Sequence, residues 1–197
     1  MKKHLVSMTL VLCLIFPAPA FAGVPLETLK GHVDKVLDVL RDPSLKAESA
    51  RKVKKGKIRA ISEKMFDFTE LSKRTLARNW SKFNPEQQKE FIELYTALLE
   101  DAYANKIMAY TDEKIVFSKE VALTERTVEV RSTVLRKTGD IPLYYRVMLR
   151  DGVWRVYDVV IEGVSLINNY RAQFREILSN KPPESLLETL RKKAGKA

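Results

Sequence analysis

Cysteine is nearly missing from this chain: Cys13 is the only one, and it lies within the first apolar run. If that run is removed on export, the remaining chain has no disulfide and no thiol nucleophile. Histidine is almost as scarce, with only His4 and His32. One histidine without cysteine partners does not build a zinc site, so no metal is expected. The G-x-x-x-x-G-K-[ST] loop of nucleotide-binding proteins is absent as well. Beyond residue 22 no run of 18 apolar residues occurs, which predicts a mature form that does not span a bilayer by a helix and is soluble. Internal repeats and low-complexity tracts are missing too.

What is present begins with an export signal. "MKK" is a basic start, "LVSMTLVLCLIF" an apolar stretch too short to span a bilayer comfortably, and Ala20-Phe21-Ala22 a small-x-small cleavage site. A lipoprotein signal would need small residues just before Cys13, and Leu12 precedes it. The reading is therefore a signal peptide over residues 1–22 and an exported, periplasmic chain of 175 residues, 197 minus 22. That length fits one domain, 23–197, and a core needing no covalent staples.

The net charge of +10 becomes +8 once Lys2 and Lys3 leave. Basic charge on an exported protein suits anionic lipid surfaces or acidic partners. No nucleic-acid module is recognisable, and no nucleic-acid partner is expected. The most basic stretch is "ARKVKKGKIR"; a solvated face is its first reading, and docking to acidic partner surfaces or anionic headgroups is the alternative.

The first half is helical in pattern. Leu26, Leu29, Val33, Val36, Leu37 and Leu40 recur at three- and four-residue steps until Asp42-Pro43 stops them. A basic helix follows over residues 45–65, then a third with Thr69 as its expected cap. The strongest helix runs from Asn84 to Tyr110, with Asn84 as N-cap, Pro85 at the first position and Gln87 completing a capping box. About 25 residues at 1.5 Å each span roughly 38 Å, enough to cross a small sheet and cover a face.

After Asp112 the pattern turns to strands: "KIVFSKEVALTE", "RTVEVRSTVLRK", "IPLYYRVMLRD" and "VWRVYDVVIE". Thr138–Asp140 and Asp151-Gly152 are turn signals, the second a strong hairpin signal. Gly163 ends the last strand and Ser165 caps a helix to about Leu178, with a short helix after Pro182-Pro183. Helices, an antiparallel meander, then helices make an α+β order. Expected limits are a helical lobe at about 25–110, a sheet at about 114–162 and C-terminal helices at about 165–193.

The last strand is apolar in both parities, so both its faces need cover. Alternation places Tyr157, Val159 and Ile161 on one face, and Tyr145, Val147 and Leu149 on one face of the strand before. Asp158 and Glu162 share parity, so they could form a carboxylate pair for acid–base chemistry, an isomerase or hydrolase alternative. The competing reading is an ion pair with Arg146 or Arg155. A Ser165–His32 nucleophile lacks any local support, and a pocket-less interaction module is a further alternative.

"WRVYDVVIEGVSLINNYRAQF", together with "FDFTELSKRTLARNWSKFNPEQQKEFIELYTALLEDAY", resembles the MlaC family, the periplasmic phospholipid-binding auxiliary proteins of Mla-type ABC transport systems, also called toluene-tolerance proteins. Trp80, Glu86, Phe91, Leu98, Tyr103, Tyr157, Asp158, Glu162, Gly163, Val164 and Ser165 stand in the matching places, and "EGVS" is the most specific element. One departure is Ala77-Arg78, where many members carry Leu-Gly. The resemblance implies an antiparallel sheet of nuclear-transport-factor-like or cystatin-like kind, a helical lobe, and an apolar cavity between them for acyl tails. It implies phospholipid as the bound ligand rather than a cofactor, and no catalysis. Outer-membrane lipoprotein and inner-membrane transporter components would be the partners, with peripheral membrane contact. The wall expected on that basis is Phe91, Tyr95, Leu98, Leu99, Tyr103, Tyr145, Val147, Leu149, Tyr157, Val159, Ile161, Val164 and Ile167.

Overall fold

The structure, a computed structural model, describes residues 24–109 and 113–195. The expected signal peptide, the cleavage site before Gly23, and Tyr110 at the end of the long apolar stripe lie outside the described residues.

Helix α1, Val24–Arg41, buries Pro25, Leu29, Val33, Leu37 and Leu40, a stripe at helical spacing. Proline at position 43 ends it. Asp42 then caps a short turn, its carboxylate accepting from the Ser44 amide. Helix α2, Arg51–Met65, is the basic one and buries only Met65. Helix α3, Phe68–Leu76, starts earlier than expected. Its cap is Asp67, not Thr69: the Asp67 carboxylate accepts from the Glu70 amide at 2.8 Å and from Arg150 at 3.0 Å. The Asp67 amide in turn donates to the Val156 carbonyl, so a contact with the sheet fixes where the helix begins. Helix α4, Pro85–Met108, has the expected capping box between Asn84 and Gln87.

Five strands follow in one antiparallel sheet, in the order of the chain: β1 Lys114–Thr124, β2 Thr127–Leu135, β3 Ile141–Arg150, β4 Val153–Ile161 and the two-residue β5 Val164–Ser165. Asp151 and Gly152 have φ of 51° and 77°, the paired positive values of a type I′ hairpin. Glu162 and Gly163 repeat them at 50° and 82°, so β5 folds straight back on Val160 and Ile161. Ser165 then caps helix α5, Leu166–Leu178, accepting from the Asn168 amide, and α6, Pro183–Lys193, follows. The α+β architecture with a helical lobe is as the sequence predicts.

Two details depart from simple alternation. Val147 pairs with Val156, yet Arg146 pairs with Asp158, so Tyr157 is the extra residue of a β-bulge. A one-residue insertion moves everything beyond it to the other face. Trp154, Val156, Val159 and Ile161 therefore share one face with Tyr145 and Val147, and Tyr157 turns to the opposite face. The expected grouping of Tyr157 with Val159 and Ile161 is thus corrected. The second departure concerns α4, which packs on α6 and α3 rather than lying across the sheet. Cover for β4 comes from α1 and α2 with the β-hairpin face on one side, and from α3 and α5 on the other.

Two apolar clusters result. One gathers α3–α6 with Tyr157. The other joins α1 and Met65 to the sheet face of Val130, Tyr145, Val147, Trp154, Val156 and Val159. Phe66, Tyr103 and Tyr170 pack against both, so they form the seam between the clusters.

Candidate functional site

The sheet face beneath α1 is apolar from strand to strand. Val130, Tyr145 and Val159 stand side by side across β2, β3 and β4, and Val128, Val147 and Val156 form the next row. Strands dictate this: residues two apart share a face, and all these positions carry branched or aromatic side chains suited to it. Toward one end the face opens. Leu143 and Ile161 pair across β3 and β4, and Ile115 and Phe117 lie near them on β1; all four are only half-buried. Toward the other end α1 closes over it. The Leu26 amide donates to Glu120 at 2.6 Å, tying the start of α1 to β1. Between Leu29, His32, Met65, Val147, Trp154 and Val156 remains only a crevice too narrow for a water molecule. His32 is held below the ordinary imidazole value, first by burial and then by Lys35, Arg155 and Lys64, so it faces this space uncharged at neutral pH.

Above the seam, α2 is strapped to α4 by polar contacts. Lys55 pairs with Asp101 at 2.7 Å, Arg59 approaches Glu100 at 3.4 Å, and Arg51 donates to Asn105 at 2.8 Å. Beneath the strap Ile58 and Tyr103 lie against the sheet cluster. Half-exposed ion pairs of this kind are each worth well under a hydrophobic side chain, so the strap is weaker than the packing around it.

The opposite sheet face is polar. Arg146 bridges Glu129 at 3.3 Å and Asp158 at 3.1 Å, and Arg131 holds the other Glu129 oxygen at 2.9 Å. Asp158, 1% exposed, also accepts from the Ser165 hydroxyl and the Ile167 amide. Its oxygens are fully engaged in structure. Glu162 is exposed in the tight turn, so the carboxylate pair with Asp158 does not form, and the acid–base alternative has no site there. The ion pair with Arg146 is what exists. Ser165 points to Asp158 and Asn168, not to His32. Among the described residues no group of three His, Cys, Asp or Glu side chains could hold a metal.

Twelve of the thirteen expected wall residues fall in two places. Phe91, Tyr95, Leu99, Tyr157 and Ile167 are buried in the helical cluster, with Leu98 half-buried against it. Phe91, Tyr95 and Phe174 pack there ring on ring at 5.3–5.7 Å, a filled aromatic core. Tyr145, Val147 and Val159 lie on the sheet face, with Leu149 and Ile161 beside them and Tyr103 at the seam. Val164 joins neither and is 58% exposed, because the turn at Glu162-Gly163 points it outward. Sequence reasoning left out Val128, Val130, Trp154 and Val156. Period-two spacing in β2 carried a signal for the first two; for the others the bulge hid the register.

Similarity to known proteins follows the same lines. The chain is 25% identical over 126 residues to the intermembrane phospholipid transport system binding protein MlaC of Haemophilus influenzae, covering 61% of this chain and 59% of that protein. It is 24% identical over 172 residues to the toluene tolerance protein ttg2D of Pseudomonas putida, covering 86% of this chain and 80% of that one. Among solved structures it superposes on the phospholipid-binding protein from Ralstonia solanacearum, determined in complex with a phospholipid. There the TM-score is 0.75 and the identity 27%, over 86% of this chain and 96% of the other. The family model described as MlaC protein matches residues 30–192, and on that match this chain belongs to the MlaC family.

Proposed function

We propose that this protein is an exported phospholipid carrier that shields acyl tails on the sheet face beneath α1 and hands them between the outer- and inner-membrane components of an Mla-type ABC transport system. The observation that carries the reading is the continuous apolar face from Leu143 and Ile161 to Val147 and Val156, open at one end and roofed by a helix at the other. The likeness to a structure that holds a phospholipid supports it, as does a relative named for intermembrane phospholipid transport. A non-catalytic role agrees with the engagement of Asp158 in ion pairs and hydrogen bonds. No described helix is long and apolar enough to cross a membrane.

Two tails carry about 30 methylenes, worth on the order of 25 kcal/mol at ~0.8 kcal/mol each. That exceeds the practical ceiling on affinity of about 18–21 kcal/mol, so release into water is negligible and transfer needs a docked acceptor. Thirty methylenes at about one water volume each, ~30 Å³, occupy roughly 900 Å³. The crevice beneath α1 does not admit even a water molecule. Loading therefore requires α1 or the α2–α4 strap to move outward, and the strap, held by half-exposed polar contacts, is the weaker of the two. Direction must come from a partner, since the chain has no nucleotide loop of its own.

Native mass spectrometry of the protein isolated from the periplasm, without added lipid, tests the reading. The expected result is a phospholipid mass on the protein that solvent extraction removes. A bare protein that also takes no lipid from vesicles would overturn it.

A further inference from the structure

Tyr145 stands at the centre of the apolar sheet face, between Val130 and Val159 on the neighbouring strands. It is 7% exposed. No described residue hydrogen-bonds its hydroxyl, and burial alone raises its pKa, without any charged or hydrogen-bonding neighbour contributing. Of the other buried tyrosines, Tyr95 shares a contact with the Thr75 hydroxyl at 3.4 Å, and Tyr157 lies beside Thr127 and under Arg74. Nor is the Tyr145 hydroxyl walled in: the enclosed side-chain oxygens lacking a hydrogen bond among the described residues are Ser72 Oγ and Glu100 Oε1. In the lipid-free protein this hydroxyl makes no bond to the described residues that phenylalanine would lose.

We infer that Tyr145 is the polar anchor of the lipid site, its hydroxyl donating to an ester carbonyl where an acyl chain joins glycerol. The inference rests on the carrier reading above and narrows its ligand to acyl esters. The chemistry matches on both sides. Where its tails begin, a diacyl lipid offers carbonyl acceptors and no donor, and Tyr145 offers a hydroxyl donor on the apolar sheet face. The position matches too. Tyr145 lies one row inward of the half-buried Leu143–Ile161 pair and one row outward of Val147 and Val156. A lipid entering by the open end would leave its esters at Tyr145 and its tails beyond, against the valines.

Ester- and ether-linked lipids separate this from plain tail burial. The delipidated protein is incubated with vesicles holding equal amounts of diacyl and dialkyl phosphatidylglycerol of one chain length, and the bound lipids are weighed by mass spectrometry. The wild type is expected to enrich the ester lipid by about three- to tenfold, the ratio a neutral hydrogen bond supports. Tyr145→Phe is expected to bring that ratio to one, and the delipidated variant should melt no lower than the wild type. Equal loading of the two lipids by the wild type, or an ester preference that persists in Tyr145→Phe, overturns the anchor while leaving the carrier intact. Loading of neither lipid overturns both.

Discussion

The Ser165 hydroxyl donates a 2.7 Å hydrogen bond to Asp158, joining the last long strand to the cap of the helix that follows it. The same carboxylate accepts from the Ile167 amide and pairs with Arg146. One buried acid thus holds β3, β4 and the start of α5 in register. Asp158→Asn keeps the shape but removes the charge that Arg146 faces. It should lower stability by roughly 1.5–3 kcal/mol, read as a shift of the urea midpoint. Lipid loading should remain measurable; loss of loading with an unchanged midpoint would assign Asp158 to the site instead.

Ala77 carries a strain that its side chain does not need. Its φ of 49° with ψ of −122° closes α3 in a region that favours glycine. This is the stretch where the chain departs from the family's Leu-Gly pattern. Ala77→Gly should raise stability by up to about 1 kcal/mol, the relief of strain being partly offset by greater freedom of the unfolded chain. A lower melting temperature for the glycine variant would contradict this backbone account.

Helix α2 offers its lysines unequally. Lys55 is paired with Asp101 and Lys57 lies 4.0 Å from Asp42, while no ion pair joins Lys52 or Lys54 among the described residues. Replacing Lys52 and Lys54 together by glutamine should slow association with anionic vesicles more than replacing Lys55 and Lys57, and raising salt should slow the wild type. Stopped-flow binding checks both. An association rate indifferent to salt would make the helix a solvated face only.

Local chemistry made much of this fold legible in the sequence. The Asn84–Gln87 capping box, the Asp151-Gly152 hairpin and the Ser165 cap each depend on residues within a few positions of one another, and each is where it was expected. The misplaced features depend on distant partners. Asp67 takes the cap from Thr69 because Val156 and Arg150 reach it from the sheet. The bulge at Tyr157 is invisible to a period-two pattern, and it moved Tyr157 from the sheet face to the helical cluster. Helix length likewise said nothing of direction, so α4 found α6 and α3 rather than the sheet. Tyr145 and Val147 were legible as partners on one face; that Phe91 and Tyr95 instead fill an aromatic core was not.

Placement of the tails on the sheet face beneath α1, and not in the helical cluster, is the central claim. The lipid-to-protein ratio after purification of two tryptophan variants tests it most directly. Val147 lies beside the narrow space under α1, and Leu98 is half-buried against the helical cluster. Val147→Trp should lose most of its lipid, because the indole occupies room the tails need, while Leu98→Trp should keep lipid near the wild-type ratio. A Val147→Trp protein that retains its full lipid and only loses the ~1–3 kcal/mol typical of an overpacked core would contradict the account.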